Sequence, residues 1–183
     1  MLSTSTPIVI DKHELHSTWP IYSQPDSRHV HTDALSMTVE RTHTCYGPGD
    51  RVVVVVILRN DGITTVAVRA LEFVLRETII FRASPHASGK KGGPIVRTSI
   101  IGEQKVPINL TIYGGTQHRV ELSTMVPQGH TTTTVTAARH IDITYSILVN
   151  AVLPVGKPLL MELPITISNW PRSADVLFLF NTE

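Results

Sequence analysis

From Ile141 to Leu153 every second residue is apolar: Ile141, Ile143, Tyr145, Ile147, Val149, Ala151 and Leu153. Asp142, Thr144, Ser146 and Asn150 occupy places between them. A period of two sends alternate side chains to opposite faces of a strand. Ile141, Ile143, Tyr145, Ile147 and Val149 are therefore expected to point into a core between two sheets. Val52–Leu58 narrows the choice further. It is an unbroken aliphatic run, too β-branched for a preferred helix and far short of the ~20 residues a membrane span needs. Gly47-Pro48-Gly49-Asp50 before it is dense turn chemistry. The run reads as a central strand, apolar on both faces.

The rest of the chain reads as strand after strand. Ser36–Thr42 alternates like a half-buried strand. Asn60-Asp61-Gly62 is a hairpin signal, because Asp-Gly tolerates the positive φ of tight turns. Ile63–Arg82 is one long run whose apolar parity changes near Arg69–Leu71, which predicts a bulge or bend. A helix competes over Val68–Glu77, where Ala, Leu, Glu and Arg favour it. Thr78–Phe81 continues with strand formers and decides for a strand. Ser84–Pro94 is a Gly- and Pro-rich loop. Ile95–Val106 and Ile108–Tyr113 read as strands broken at Pro107, with a turn at Gly114-Gly115. Val120, Leu122 and Thr124 alternate with Arg119, Glu121 and Ser123. Thr131–Thr134 is polar and edge-like, and Leu159–Ile167 closes the set. Strands separated by turn signals, without convincing helical periods, specify an all-β antiparallel sandwich.

At 183 residues, with 42% hydrophobic side chains, the chain is long enough to bury a core of its own. Its net charge of +1, without an aromatic-interleaved basic stripe, argues against nucleic acid as a partner. Cys45 is the single cysteine. No intrachain disulfide can form, which suits a reducing compartment. The N-terminal residues have neither the basic nor the apolar region of a signal peptide. A cytosolic protein is expected, in which the sequon form of Asn109-Leu110-Thr111 stays silent.

Each residue set that hints at chemistry has a plainer alternative. His29 and His31 share a face of an extended chain, but even with His43 they lack the spacing of a zinc site. Cys45 and His43 would lie on one face about 7 Å apart along a strand. No orienting acid or oxyanion donor accompanies them, so a structural thiol is expected, and no metal, cofactor or catalytic residue is assigned. Gly89–Gly93 lacks the Gly-Lys-Ser/Thr and following helix of a phosphate loop. Thr131–Thr134 reads as a polar edge rather than a phosphorylation patch. His140 and Asp142 read as a surface pair. One cluster retains a functional reading beside its plain one as a solvated loop. Arg82, Lys90, Lys91 and Arg97 surround the Gly-rich loop and offer contact to an anionic membrane surface or an acidic or phosphorylated tail.

Tyr46-Gly-Pro-Gly-Asp with the run that follows, Ile141–Val149, and Leu163-Pro164-Ile165, in this order and spacing, resemble the C-terminal domain of arrestin-like proteins, especially the fungal α-arrestin type. The resemblance covers roughly residues 30–172. It implies an immunoglobulin-like β-sandwich of arrestin C-terminal type over residues 35–172. Residues 1–34 would form an extended segment like the arrestin interdomain connection, anchored at Trp19-Pro20-Ile21-Tyr22. Residues 173–183 depart from the family pattern: the apolar Val176–Phe180 would either add an edge strand or form a sticky tail. On this resemblance the chain begins where an N-terminal arrestin domain would have ended, as in a fragment or a truncated relative. The implied function is a non-enzymatic adaptor in ubiquitin-dependent endocytosis and membrane-protein traffic, peripheral to the plasma membrane or endosomes. Its implied partners are membrane-protein cytoplasmic tails and a ubiquitin ligase. The family recruits WW-domain ligases through Pro-Pro-x-Tyr, which this sequence lacks; Trp19–Tyr22 has one of the two prolines. The alternative is a structural, coat-like trafficking subunit that recruits no ligase.

Overall fold

A computed structural model describes residues 20–32, 35–82 and 93–169. Among the described residues a short 3-10 turn, Pro20–Ser23, is followed by nine strands: β1 (Asp26–His31), β2 (Leu35–Arg41), β3 (Cys45–Tyr46), β4 (Arg51–Asn60), β5 (Val66–Phe81), β6 (Ile95–Ile112), β7 (Gln117–Met125), β8 (Ile141–Val152) and β9 (Leu159–Ile167). They form a four-stranded sheet, β1-β2-β4-β7, and a five-stranded sheet, β3-β9-β8-β5-β6. All pairs are antiparallel except β3 with β9. The strand β1 lies within the stretch that the sequence assigned to an extended segment. It pairs with β2 from Asp26 opposite Arg41 to His31 opposite Ser36. Just ahead of it, the Tyr22 carbonyl accepts the Thr44 N–H at 2.9 Å.

The expected turn before β4 is built around Asp50. Its Oδ2 accepts the Gly47 N–H at 2.9 Å, and Gly49 adopts φ +83°, a conformation that favours glycine. The central strand β4 then turns Val52, Val54, Val56 and Leu58 fully inward. Val53, Val55 and Ile57 are only half-buried, because the outer face of this sheet has no covering layer among the described residues.

Asn60-Asp61-Gly62 does not make a hairpin. The strand before it pairs with β2 and β7, while β5 pairs with β6 and β8. The turn carries the chain from one sheet to the other. Asn60 is fully buried there. Its Nδ2 donates to the carbonyls of Thr64 (2.7 Å) and Ile112 (2.9 Å), and its Oδ1 accepts the Gly62 N–H at 2.9 Å. Turn chemistry dictates that the chain reverses but not which strand it then joins. Leu71, Phe73 and Leu75 are fully buried in the shared core, and they reach it from the opposite sheet.

Where the parity changes on β5 its register with β6 shifts, and β6 carries the extra residue. The register passes from Val68–Leu110 to Ala70–Pro107, and Asn109 there takes φ 40°, a left-handed conformation Asn tolerates. A second extra residue, Ile101, falls between Leu75–Gly102 and Arg76–Ile100. Pro107 does not break this strand. As the edge of its sheet, β6 tolerates a residue that cannot donate to the ladder.

On β8, Ile143, Tyr145, Ile147 and Val149 are buried as the alternation predicts, and Ile141 is partly buried against the same core. Thr131–Thr134 is not a strand. It runs over the end of the five-stranded sheet, where Val135 bridges Ile143 and the Thr134 hydroxyl accepts the Ile167 N–H at 2.8 Å.

Candidate interaction surface

Of the four cations singled out from the sequence, Lys90 and Lys91 lie outside the described residues. Arg82 and Arg97 come to the same end of the β5–β6 pair, and both are engaged. Arg82 is ion-paired with Asp142, which is thereby drawn away from the expected pairing with His140. The Arg97 guanidinium lies over the Phe81 ring, 5.6 Å from its centre, a cation–π contact. His29 and His31 are exposed on β1. His43 shares a hydrogen bond with the Thr42 hydroxyl at 2.7 Å, and Cys45 is buried. Among the described residues no group of three or more His, Cys, Asp or Glu is placed to hold a metal.

The first six residues of β6 form an open sheet edge. Ile95–Ile100 are all exposed, with 63% of Ile95, 55% of Val96 and 59% of Ile100 accessible. The back half of β6 differs. Gly102 comes so close to β7 that a Cβ would sit 2.7 Å from the Thr124 hydroxyl. Two residues on, the Gln104 side chain accepts the Ser123 N–H of β7 at 2.7 Å. The strand therefore bends at its second bulge to close one side of the sandwich, and among the described residues its first half is left uncovered. The sequence shows a strand here, but apolar residues of both parities do not reveal an edge.

A shallow cavity of about 300 Å³ lies on the four-stranded sheet, with Val53 and Val55 as its apolar floor. Glu40 and Arg119 (3.4 Å) and Asp26 and Arg41 (2.7 Å) pair along its rim. Arg41 also donates to the Pro164 carbonyl of the other sheet at 2.7 Å, so this largely buried cation joins the two layers.

A polar cluster closes the end of the core. Glu77 shares the parity of Leu71, Phe73 and Leu75 and is buried with them. Its carboxylate is met by the Ser99 hydroxyl at 2.9 Å and the Tyr145 hydroxyl at 2.8 Å. The same phenol lies 2.9 Å from the Thr132 carbonyl and 2.9 Å from His130 Nε2. Burial, then the hydrogen bond to Glu77, pushes the Tyr145 phenol well above its usual range. The cluster fastens the connection between β7 and β8 to the five-stranded sheet. Its sequence signal was a glutamate on an apolar parity. On the outer face, Lys105 (2.5 Å) and the Asn150 amide (2.9 Å) hold the Glu72 carboxyl below its usual range.

Residues 31–172 match the family described as arrestin (or S-antigen), C-terminal domain. No curated protein matches the chain. Among solved structures it is similar to Spo0M, the sporulation control protein of Bacillus subtilis, with a TM-score of 0.59 at 14% identity. That match covers 75% of this chain and 50% of Spo0M, so the chain corresponds to half the length of that protein. At such low identity the likeness concerns the fold alone. The two-sheet architecture and the family match over most of the chain agree, and the chain belongs to the arrestin family through its C-terminal domain.

Proposed function

We propose that this chain is a non-enzymatic adaptor of the α-arrestin type, acting in ubiquitin-dependent traffic of membrane proteins at the plasma membrane or endosomes. The observation that carries the reading is the arrestin C-terminal domain over residues 31–172, because domains of this type mediate protein interactions. The surface described above supports it, since a cleft with an apolar floor and a charged rim accepts a partner's side chains. The membrane-protein tail and the ubiquitin ligase are the partners this reading requires. Without Pro-Pro-x-Tyr, the ligase must be held by a different contact or through a further subunit.

The test is co-precipitation of the chain with WW-domain ubiquitin ligases, followed by ubiquitination of a co-expressed membrane protein. Retention of a ligase, and cargo ubiquitination that depends on the chain, are expected. Cargo binding without any ligase would favour the coat-like alternative.

A further inference from the structure

We infer that the open half of β6 pairs with the same strand of a second copy, joining two five-stranded sheets into one continuous sheet about a two-fold axis. This inference goes beyond the adaptor reading and does not depend on it.

Exposed strand edges present unpaired N–H and C=O groups, and natural proteins blunt them with bulges, proline, charge or short length. The other sheet edges among the described residues carry such protection, β7 through Arg119 and Glu121. The back half of β6 has Pro107 and bends towards β7. The two-residue β3 is short, and β1 carries Asp26 and Arg28. Ile95–Ile100 lacks proline and has one charge, Arg97, which is stacked on Phe81. Its apolar side chains are more than half exposed. Such an edge favours strand addition.

The order of residues selects the occupant. In a two-fold antiparallel pair, directly opposite residues share a face of the sheet. Each residue of β6 can then face only partner residues of its own parity. Centring the axis on Thr98 sets Val96 against the partner's Ile100 and Thr98 against the partner's Thr98. Apolar and Thr–Thr cross-strand pairs of this kind are stabilising. Arg97 then faces the partner's Ser99, whose hydroxyl is bonded to the Glu77 carboxylate, so each cation approaches an anion across the joint. Moving the centre to Arg97 sets two guanidinium groups opposite each other. Moving it to Ser99 brings Gly102 into the pairing, where β6 has already turned towards β7. The strand is thus complementary to itself in one register. A joint of five residues from each copy, Val96–Ile100, is smaller than even the roughly 1,200 Å² lower bound of a standard interface, so a weak association is expected.

Register-specific cross-linking tests the pairing. Cys45 is buried, so a single introduced cysteine reports its own neighbours. Under mild oxidation Thr98→Cys is expected to form a disulfide-linked dimer. Arg97→Cys and Ser99→Cys alone should not, because each lies two residues along from its own copy, beyond the roughly 7 Å that a disulfide spans. Mixing those two variants should restore cross-linking. By sedimentation velocity at roughly 10–100 µM, concentrations that populate a weak dimer, the parent should rise above its 20.2 kDa monomer mass. Val96→Glu/Ile100→Glu should remain monomeric, with an unchanged far-UV circular dichroism spectrum because both side chains are exposed. A parent that stays monomeric across this range, or Thr98→Cys that cross-links no faster than Gly129→Cys, overturns the inference. So does capture of an unrelated extended peptide at this edge by a monomeric parent.

Discussion

Ile143 stands where the alternation of β8 meets the core, 9% exposed and opposite Ile79 on β5. Truncation to Ala removes three carbons from a site flanked by Ile79 of β5 on one side and by Val135, which exchanges backbone hydrogen bonds with it, on the other. Ile143→Ala is expected to cost roughly 2–5 kcal/mol, read as a lower midpoint in urea; an unchanged midpoint would refute its burial. Tyr145 offers a pH-dependent test. Its phenol is held protonated in the folded chain, above its ordinary value of 10.0. A group whose folded pKa is raised contributes stability below the unfolded pKa and loses it as pH rises beyond. The parent should therefore lose stability above about pH 10, and Tyr145→Phe should flatten that part of the profile. At neutral pH the same substitution removes a donor to the buried Glu77 carboxylate and is expected to cost about 1–3 kcal/mol. A melting-temperature series from pH 7 to 11 measures both effects. Glu77 itself was legible only in part. Its parity announced a core-facing position, but the Ser99 and Tyr145 partners that make the position tolerable come from strands distant in sequence.

At the scale of elements, β6 carries most of what is particular to this sandwich. Two bulges bend it, and Gly102 lets its backbone approach Thr124 and the Met125 carbonyl, which a Cβ would meet at 3.3 Å. Gly102→Val is expected to destabilise by about 1–3 kcal/mol through overpacking. Gly129→Ala, where a Cβ would meet nothing within 4 Å, should stay within about 0.5 kcal/mol of the parent. Equal midpoints for the two in chemical denaturation would show that β6 does not close on β7. Pro107 illustrates why this element was misread as two strands. Proline forbids a ladder bond but not a strand, and only the sheet order reveals that β6 is an edge. Asn60 carries the same lesson for turns, since the Asp-Gly step reverses the chain equally well within one sheet or between two.

For the molecule as a whole, two of the four cations proposed to meet an anionic surface are already engaged by Asp142 and Phe81. The proposed contact therefore falls chiefly to Lys90 and Lys91. At about 1 kcal/mol for each basic residue near an anionic bilayer, Lys90→Glu/Lys91→Glu is expected to weaken binding to phosphatidylserine vesicles about tenfold or more. The loss should be greatest at low salt, where screening is weakest. Equal co-sedimentation of the double variant and the parent at low salt would remove the membrane contact from the proposal. Strand identity and the inward face of β8 were readable in the sequence because a period of two is a local property of the chain, set by the backbone itself; on β4, apolar at both parities, the sheet packing alone decides which face is inward. The closing span Leu159–Ile167 was readable for the same reason. Sheet membership, the uncovered edge at Ile95–Ile100 and the partners of Arg82, Arg97 and Glu77 were settled only by tertiary structure. Each depends on which distant strand arrives alongside, and the shared apolar core selects that neighbour.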